Sequence, residues 1–319
     1  MQARLIEKAC VVGLGPHALT KLVPALQSNG QEIAAVVTSQ KKSPIAGARL
    51  FSRLEDAVQA LPLDVTFVVA SPPAAHLAQA ELILSSGRDM FLEKPAFVAF
   101  KDVEAVAELC ERKGVVLLEG LMYRYASAYE RLMAYWRAHA GEVVGFTAKF
   151  LIPEARQGSF RDDPATASSI VYDIGCYPVS LLSHLGGGPL DLEIEEVAHA
   201  GDQTRERAYI VGSAGAIAVD IEIGMSDGYA NWVELRRRSG ETLRIQPFFY
   251  GRKGLRSMAK DGRTETFEEP DAFERMFRLT REELVLDQPE RFRAMISATR
   301  ALAGLGSELQ LARRQARRG

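Results

Sequence analysis

Three short stretches carry side chains suited to chemistry. The first is Gly13-Leu14-Gly15-Pro16-His17-Ala18. It reads Gly-x-Gly-x-x-Ala between an apolar run and a helical pattern, the setting of a dinucleotide-binding turn. Gly13 permits the tight turn, Gly15 lets backbone approach a pyrophosphate, and the small Ala18 allows close helix–strand packing. Amides at the start of the helix, with Pro16 and His17 alongside, then face the phosphates. An ordinary strand-to-helix turn uses the same glycines. The second stretch, Glu93-Lys94-Pro95, closes an apolar strand-like run. The carboxyl edge of a parallel sheet is where ligands bind, and Pro95 holds Lys94 extended. A lysine there donates to a hydroxyl or carbonyl and lowers the pKa of nearby acids; a surface lysine at a strand end is the plain alternative. The third is Asp173-Ile174-Gly175-Cys176-Tyr177-Pro178. Asp173 and Tyr177 are four apart, on one face if both are helical, and Pro178 places the cluster in a first helical turn. Asp173 suits an N-cap; Tyr177 suits a half-buried aromatic, or a proton donor and acceptor for carbonyl reduction.

A fourth stretch bears on cofactor choice. A dinucleotide without a 2′-phosphate usually meets an Asp or Glu about 20 residues past the glycine turn. Here the second strand runs into Thr38-Ser39-Gln40-Lys41-Lys42, which holds no carboxylate. The Ser39 hydroxyl with Lys41 and Lys42 suits a 2′-phosphate, favouring NADP over NAD; a solvated loop with incidental lysines explains the same residues.

The elements that must position these groups are legible in outline. Strand-like runs at Lys8 to Val12, Ile33 to Val37, Val65 to Ala70, Met90 to Leu92 and Val115 to Leu118 alternate with helical patterns, as a doubly wound parallel sheet requires. Pro24 falls inside the first helical pattern and predicts a kink or break there. Tyr125 to His139 is one long helix. Then come strand-like runs without intervening helices, at Val143 to Ile152, Ile194 to Ala198, Ala208 to Val211, Ile217 to Ile223, Asn231 to Arg236 and Thr242 to Ile245. Such a run predicts a mostly antiparallel α+β half. Helical patterns at Asp271 to Leu284 and Pro289 to Leu302 finish the chain, before a basic tail with Arg313, Arg314, Arg317 and Arg318 that reads as solvated. The division predicted is 1–122 for dinucleotide binding and 123–319 for substrate and assembly.

Composition bounds the class. The 319 residues are 47% hydrophobic and 25% charged, with Lys+Arg 39 against Asp+Glu 41 and net charge -2. That balance argues against nucleic acid as a partner, and no apolar run has the length of a membrane span. Met1 to Lys8 lacks the apolar core of a secretory signal. Three separated cysteines, Cys10, Cys110 and Cys176, argue against a disulfide framework and suit a reducing, cytoplasmic setting. His17, His76, His139, His184 and His199 show no metal-ligand spacing, so no metal is expected.

Taken together these stretches, with Ser71-Pro72-Pro73 and His76, Tyr123-Arg124-Tyr125 and Phe160-Arg161, resemble the Gfo/Idh/MocA family of glucose–fructose oxidoreductase-like dehydrogenases. The resemblance runs from the glycine turn to about Leu302. It implies a Rossmann domain followed by an α+β domain with a large open, mainly antiparallel sheet. It implies hydride transfer between nicotinamide and a hydroxyl or keto group of a sugar, sugar nucleotide, polyol or related alcohol. By the same resemblance Lys94 binds nicotinamide ribose and substrate hydroxyl, Tyr177 is the general acid/base, and Asp173 orients the hydroxyl or assists proton transfer. Glu93, His76 and the Ser71-Pro72 loop lie along the cofactor. A tyrosine at 177, where many members have histidine, looks more like the glucose–fructose oxidoreductase, dihydrodiol dehydrogenase and keto-sugar reductase branches. Arg124 and Arg161 are candidates for an anionic group on substrate or cofactor, or for ion pairs. Ala167-Ser168-Ser169-Ile170-Val171-Tyr172 departs from the glycine-rich stretch usual before Asp-x-Gly. The resemblance also implies a homodimer or homotetramer packed through the second sheet. Two other readings use the same fold: NAD-assisted glycoside cleavage, and a non-catalytic cofactor-binding regulator.

Overall fold

A computed structural model describes residues 4–153, 169–186, 188–200 and 205–316. The chain forms two compact units. The first holds the described residues up to Phe97, then Lys101–Met122 and Phe273–Arg293. Its sheet is built from β1 (Lys8–Val12), β2 (Glu32–Val37), β3 (Arg49–Phe51), β4 (Val65–Val69), β5 (Met90–Leu92) and β6 (Leu117–Glu119), in the order β3-β2-β1-β4-β5-β6. All pairings are parallel. The order reverses between β1 and β4, the switch point at which such sheets open a ligand crevice. Every residue of β4 and β5 is buried, the continuous apolar reading of strands covered on both faces.

The helices of this unit are α1 (Val23–Ser28), α2 (Leu54–Ala60), α3 (His76–Ser85) and α4 (Phe100–Lys113). α1 is preceded by a wide turn at Ala18–Leu22, closed by the Val23 amide on the Ala18 carbonyl. This is the break that Pro24 predicts. A proline ring crowds the carbonyl four residues back, and a turn with i→i+5 bonding relieves that crowding. β3 and α2 have no counterpart in the sequence reading. β3 is a three-residue edge strand with two exposed positions, so no apolar pattern announces it.

The second unit holds Val98–Phe100, Tyr123–Ala272 and the described residues from Ala294 on. It contains α5 (Ser127–His139), β7 (Val143–Pro153), α6 (Cys176–Leu185), β8 (Leu190–Ala200), β9 (Arg205–Ala214), β10 (Ile217–Ser226), β11 (Ala230–Arg237), β12 (Thr242–Gln246), β13 (Gly254–Lys260) and β14 (Arg263–Glu269). The eight strands run β14-β13-β12-β11-β7-β10-β9-β8, and only the β7–β10 pairing is parallel. Along β11, Asn231, Val233 and Leu235 are buried while Trp232, Glu234 and Arg236 are not, so one face makes the core and the other is polar. That second face carries Glu222, Lys149 and Trp232 side by side in register, with Lys149 paired to Glu222 and Arg244 stacked 3.7 Å over Trp232.

The end of the chain departs from two separate helices. α7 (Ala272–Met276) is short, and α8 (Arg281–Ala316) runs 36 residues straight through Pro289. α8 extends past Leu302 to Arg313, whose guanidinium pairs with the Glu206 carboxylate, so this part of the basic tail is structured. Among the described residues no helix is long and apolar enough to cross a membrane.

Candidate active site

In the first unit the site is built around the end of β1. The Gly13 amide donates to the Val37 carbonyl at 2.9 Å, and Gly13 has φ +86. A Cβ there would lie 3.1 Å from the Ala70 carbonyl and the Ser71 amide, so β4's end presses directly on the turn. A Cβ on Gly15 would meet nothing within 4 Å; this is the position at which a pyrophosphate needs bare backbone. Ala18 is fully buried under the helix start. Pro16 and His17 are exposed. The cradle therefore fits a dinucleotide on its own geometry.

Two contacts tie neighbouring loops to this turn. The Gln40 side chain donates to the Leu14 carbonyl at 3.2 Å, and the Gln40 amide to Thr38 Oγ1. Ser39, Lys41 and Lys42 sit exposed on the loop so anchored. His17 Nε2 lies 3.0 Å from Glu93 Oε1, joining the glycine turn to the end of β5. Glu93 is buried, and its Oε2 accepts the Lys94 amide at 3.2 Å. A Cβ on Gly120 would stand 3.1 Å from Glu93 Oε1, so that glycine makes room for the carboxylate. Lys94 is half-buried.

His76 acts as a staple. Its Nε2 lies 2.9 Å from the Ser71 carbonyl, and its Nδ1 3.0–3.1 Å from the Ala96 and Pro95 carbonyls. It joins the loop after β4 to the loop after β5. Burial holds its pKa below the ordinary 6.5, against the pull of those carbonyls and of Glu93. Burial pushes the Cys10 and Cys110 thiols up to about 12, so they stay protonated apolar fillers.

In the second unit Asp173 and Tyr177 are both 9% exposed. Asp173 lies inside a wide turn at Val171–Gly175, and its amide bonds the Ser169 carbonyl at 2.8 Å. Gly175, not Asp173, stands at the N-cap of α6 and makes no side-chain cap. The N-cap reading of Asp173 is therefore replaced: the coil begins a turn earlier, and Pro178 follows a widened turn as Pro24 does. Gly175 approaches so closely that a Cβ would touch Ile223 Cδ1 at 3.0 Å, and Gly306 of α8 leaves space for the Tyr172 ring. The Tyr177 ring packs among Tyr123, Phe150 and Phe249 at centroid distances of 6.1, 5.4 and 5.7 Å.

Residues 8–121 match the family model for the oxidoreductase family with an NAD-binding Rossmann fold, GFO_IDH_MocA. Over that span, the Rossmann part of the first unit, the chain is similar to the Gfo/Idh/MocA oxidoreductases. The chain is 26% identical over 280 residues to D-xylose 1-dehydrogenase (NADP(+)) 2 of Haloferax volcanii, covering 83% of this chain and 85% of that protein. It is 27% identical over 237 residues to a scyllo-inositol 2-dehydrogenase (NADP(+)) of Bacillus subtilis, covering 72% and 71%. Its fold matches a 3-ketoreductase from Actinomadura kijaniata in complex with NADP and TDP-benzene, with TM-score 0.77, 19% identity and coverage of 93% and 96%.

The first unit brings together Gly13, Gly15, Ala18, His17, Glu93, Ser71 and His76. It holds Pro72 exposed beside Ser71, and Ser39, Lys41 and Lys42 on the loop that Gln40 anchors. The second unit holds Asp173 and Tyr177 in successive turns and Arg124 half-buried in a tight turn at Met122–Tyr125. Arg161, Phe160, Ala167 and Ser168 lie outside the described residues. Sequence reasoning missed the roles of Gln40, Ser180 and Phe249. Ser180 was findable: its Oγ donates to the Tyr177 carbonyl at 2.9 Å, as a hydroxyl three residues on in a helix is placed to do.

Proposed function

We propose that this chain is a member of the Gfo/Idh/MocA family and an NADP-dependent oxidoreductase that interconverts a hydroxyl and a keto group on a sugar, sugar nucleotide or related polyol. The observation that carries the reading is a glycine cradle whose neighbouring loop offers Ser39, Lys41 and Lys42 and no carboxylate, in a chain that also buries Asp173 and Tyr177. NADP, when bound, supplies or accepts the hydride. Gly13, Gly15 and the helix start hold the pyrophosphate, and the anchored loop takes the 2′-phosphate. Lys94 donates to the substrate oxygen. Tyr177 gives or takes the proton at its phenolic oxygen, and Asp173 orients the reacting hydroxyl. The relatives named for NADP and for sugar or inositol substrates support this reading. The polar, aromatic face of the second sheet packs against a second copy in a homodimer or homotetramer, which sedimentation measures.

The test is nicotinamide absorbance with a panel of pentoses, inositols and nucleotide keto-sugars. Net conversion of NADP with at least one of them is the expected result, and kcat/KM for NADP exceeds that for NAD. Lys94→Ala and Tyr177→Phe each lower turnover by roughly tenfold or more while the melting temperature holds. Near-normal turnover in both variants rejects the assignment.

A further inference from the structure

Tyr177 is placed by groups outside the three motifs. Ser180 Oγ donates to the Tyr177 carbonyl at 2.9 Å. That uses the single hydroxyl proton of Ser180, so in the 2.9 Å contact between Tyr123 Oη and Ser180 Oγ the tyrosine is the donor. A directed chain results, from the Tyr123 hydroxyl through Ser180 to the backbone of Tyr177. Tyr123 is wholly buried. Its ring also stands edge-on to Tyr177 at 6.1 Å and to Phe249 at 5.4 Å, while Phe150 stacks on Phe249 at 5.6 Å. One side chain thus touches both the backbone link and the ring box of the phenol. Buried Ser180 thus links Tyr123, which lies outside α6, to the α6 turn that carries Tyr177.

We propose that Tyr123 is a positioning residue: through Ser180 it holds the turn bearing Tyr177, and with Phe150 and Phe249 it fixes the orientation of the phenol. The proposal rests on the reading of Tyr177 as the acid/base. The first turn of α6, which bears Tyr177, follows directly on the widened turn Val171–Gly175, and widened turns of this kind are frequent at functional sites. A phenol delivering a proton must hold its oxygen to within a fraction of an ångström. The Tyr123–Ser180 chain ties that turn down at the residue whose placement matters.

The full-length protein labelled with 3-fluorotyrosine tests the link without a substrate. The fluorine resonance that disappears in Tyr177→Phe identifies the boxed ring. In Tyr123→Phe and in Ser180→Ala that resonance moves or broadens, while the resonance of Tyr209 on the opposite sheet face stays in place. Turnover with NADP then falls roughly tenfold in kcat with KM for NADP unchanged. The double variant is no worse than the poorer single one, because both cut the same chain, and Ser180→Thr, which keeps the hydroxyl, restores the rate. An unmoved Tyr177 resonance in both single variants overturns the proposal, as do losses that multiply in the double variant. Turnover retained by Tyr177→Phe overturns the acid/base reading instead, so the two failures are told apart.

Discussion

At the glycine turn a missing side chain does the work, and its two glycines do different jobs. Gly13 has positive φ and faces β4 backbone at 3.1 Å, whereas Gly15 faces open space. Gly13→Ala should therefore lose about 1–2 kcal/mol of stability from the left-handed backbone alone, and bind NADP weakly as well. Gly15→Ala should keep its melting temperature and lose NADP affinity only; fluorescence titration and thermal unfolding separate the two. His76 carries a pH dependence. Its pKa is depressed in the folded chain by burial, so the unfolded chain binds the extra proton. Stability is then fully present above pH 6.5, the ordinary histidine value, and is lost as pH falls below it. His76→Leu should flatten that dependence of melting temperature while lowering its plateau, since the carbonyl that accepts the single N–H of the neutral imidazole loses its donor. The glycines, Lys94, Asp173 and Tyr177 were legible as residue types in a pattern. The contacts of His17 with Glu93 and of Gln40 with Leu14 were not, because they join residues 76 and 26 positions apart.

The elements that the sequence reading missed did carry signals of their own. β13 and β14 are joined by Asp261-Gly262, both with positive φ and closed by the Lys260–Arg263 pair. Asp-Gly between strands is a strong hairpin signal, but the charged flanking runs of an edge hairpin hide the alternation. α8 begins with a capping box: the Thr280 amide donates to the Glu283 carboxylate at 2.8 Å, and the Glu283 amide to Thr280 Oγ1 at 3.3 Å. The Thr280 amide and the Thr280 hydroxyl, both donating to the carboxylate, hold the Glu283 carboxyl below its ordinary value. Thr280→Ala should cost about 1 kcal/mol, read as a shift in the urea midpoint. Pro289 does not stop this helix, and the Arg291 guanidinium reaches back to the Leu284 carbonyl one turn before the proline. Packing decides such cases over propensity, which is why a pattern broken at proline read as two helices.

On the scale of the whole molecule, the first unit is assembled from distant parts of the chain. Gln288 bonds the Leu117 amide and the Val115 carbonyl at β6, Arg281 pairs with Asp89, Gln31 donates to the Phe277 carbonyl, and Phe277 packs edge-on to Phe91. A fragment ending at Met122 leaves these groups unpaired. It should unfold at lower urea and bind NADP more weakly than the same fragment linked to residues 273–293; equal stability of the two would show that the returning segment is dispensable. What the sequence determined by itself is local and periodic: the glycine turn, the buried parallel strands, the change from alternating to strand-rich rhythm, and the identities of Lys94, Asp173 and Tyr177. Those properties follow from neighbouring residues and from the two- and 3.6-residue periods of strand and helix. Only the tertiary structure decided that residues 273–293 complete the first unit, that Asp173 lies inside a widened turn, and that Tyr123 reaches Tyr177 through Ser180. Each of these joins groups far apart along the chain or trades a local preference for burial, and neither leaves a periodic trace in the order of residues.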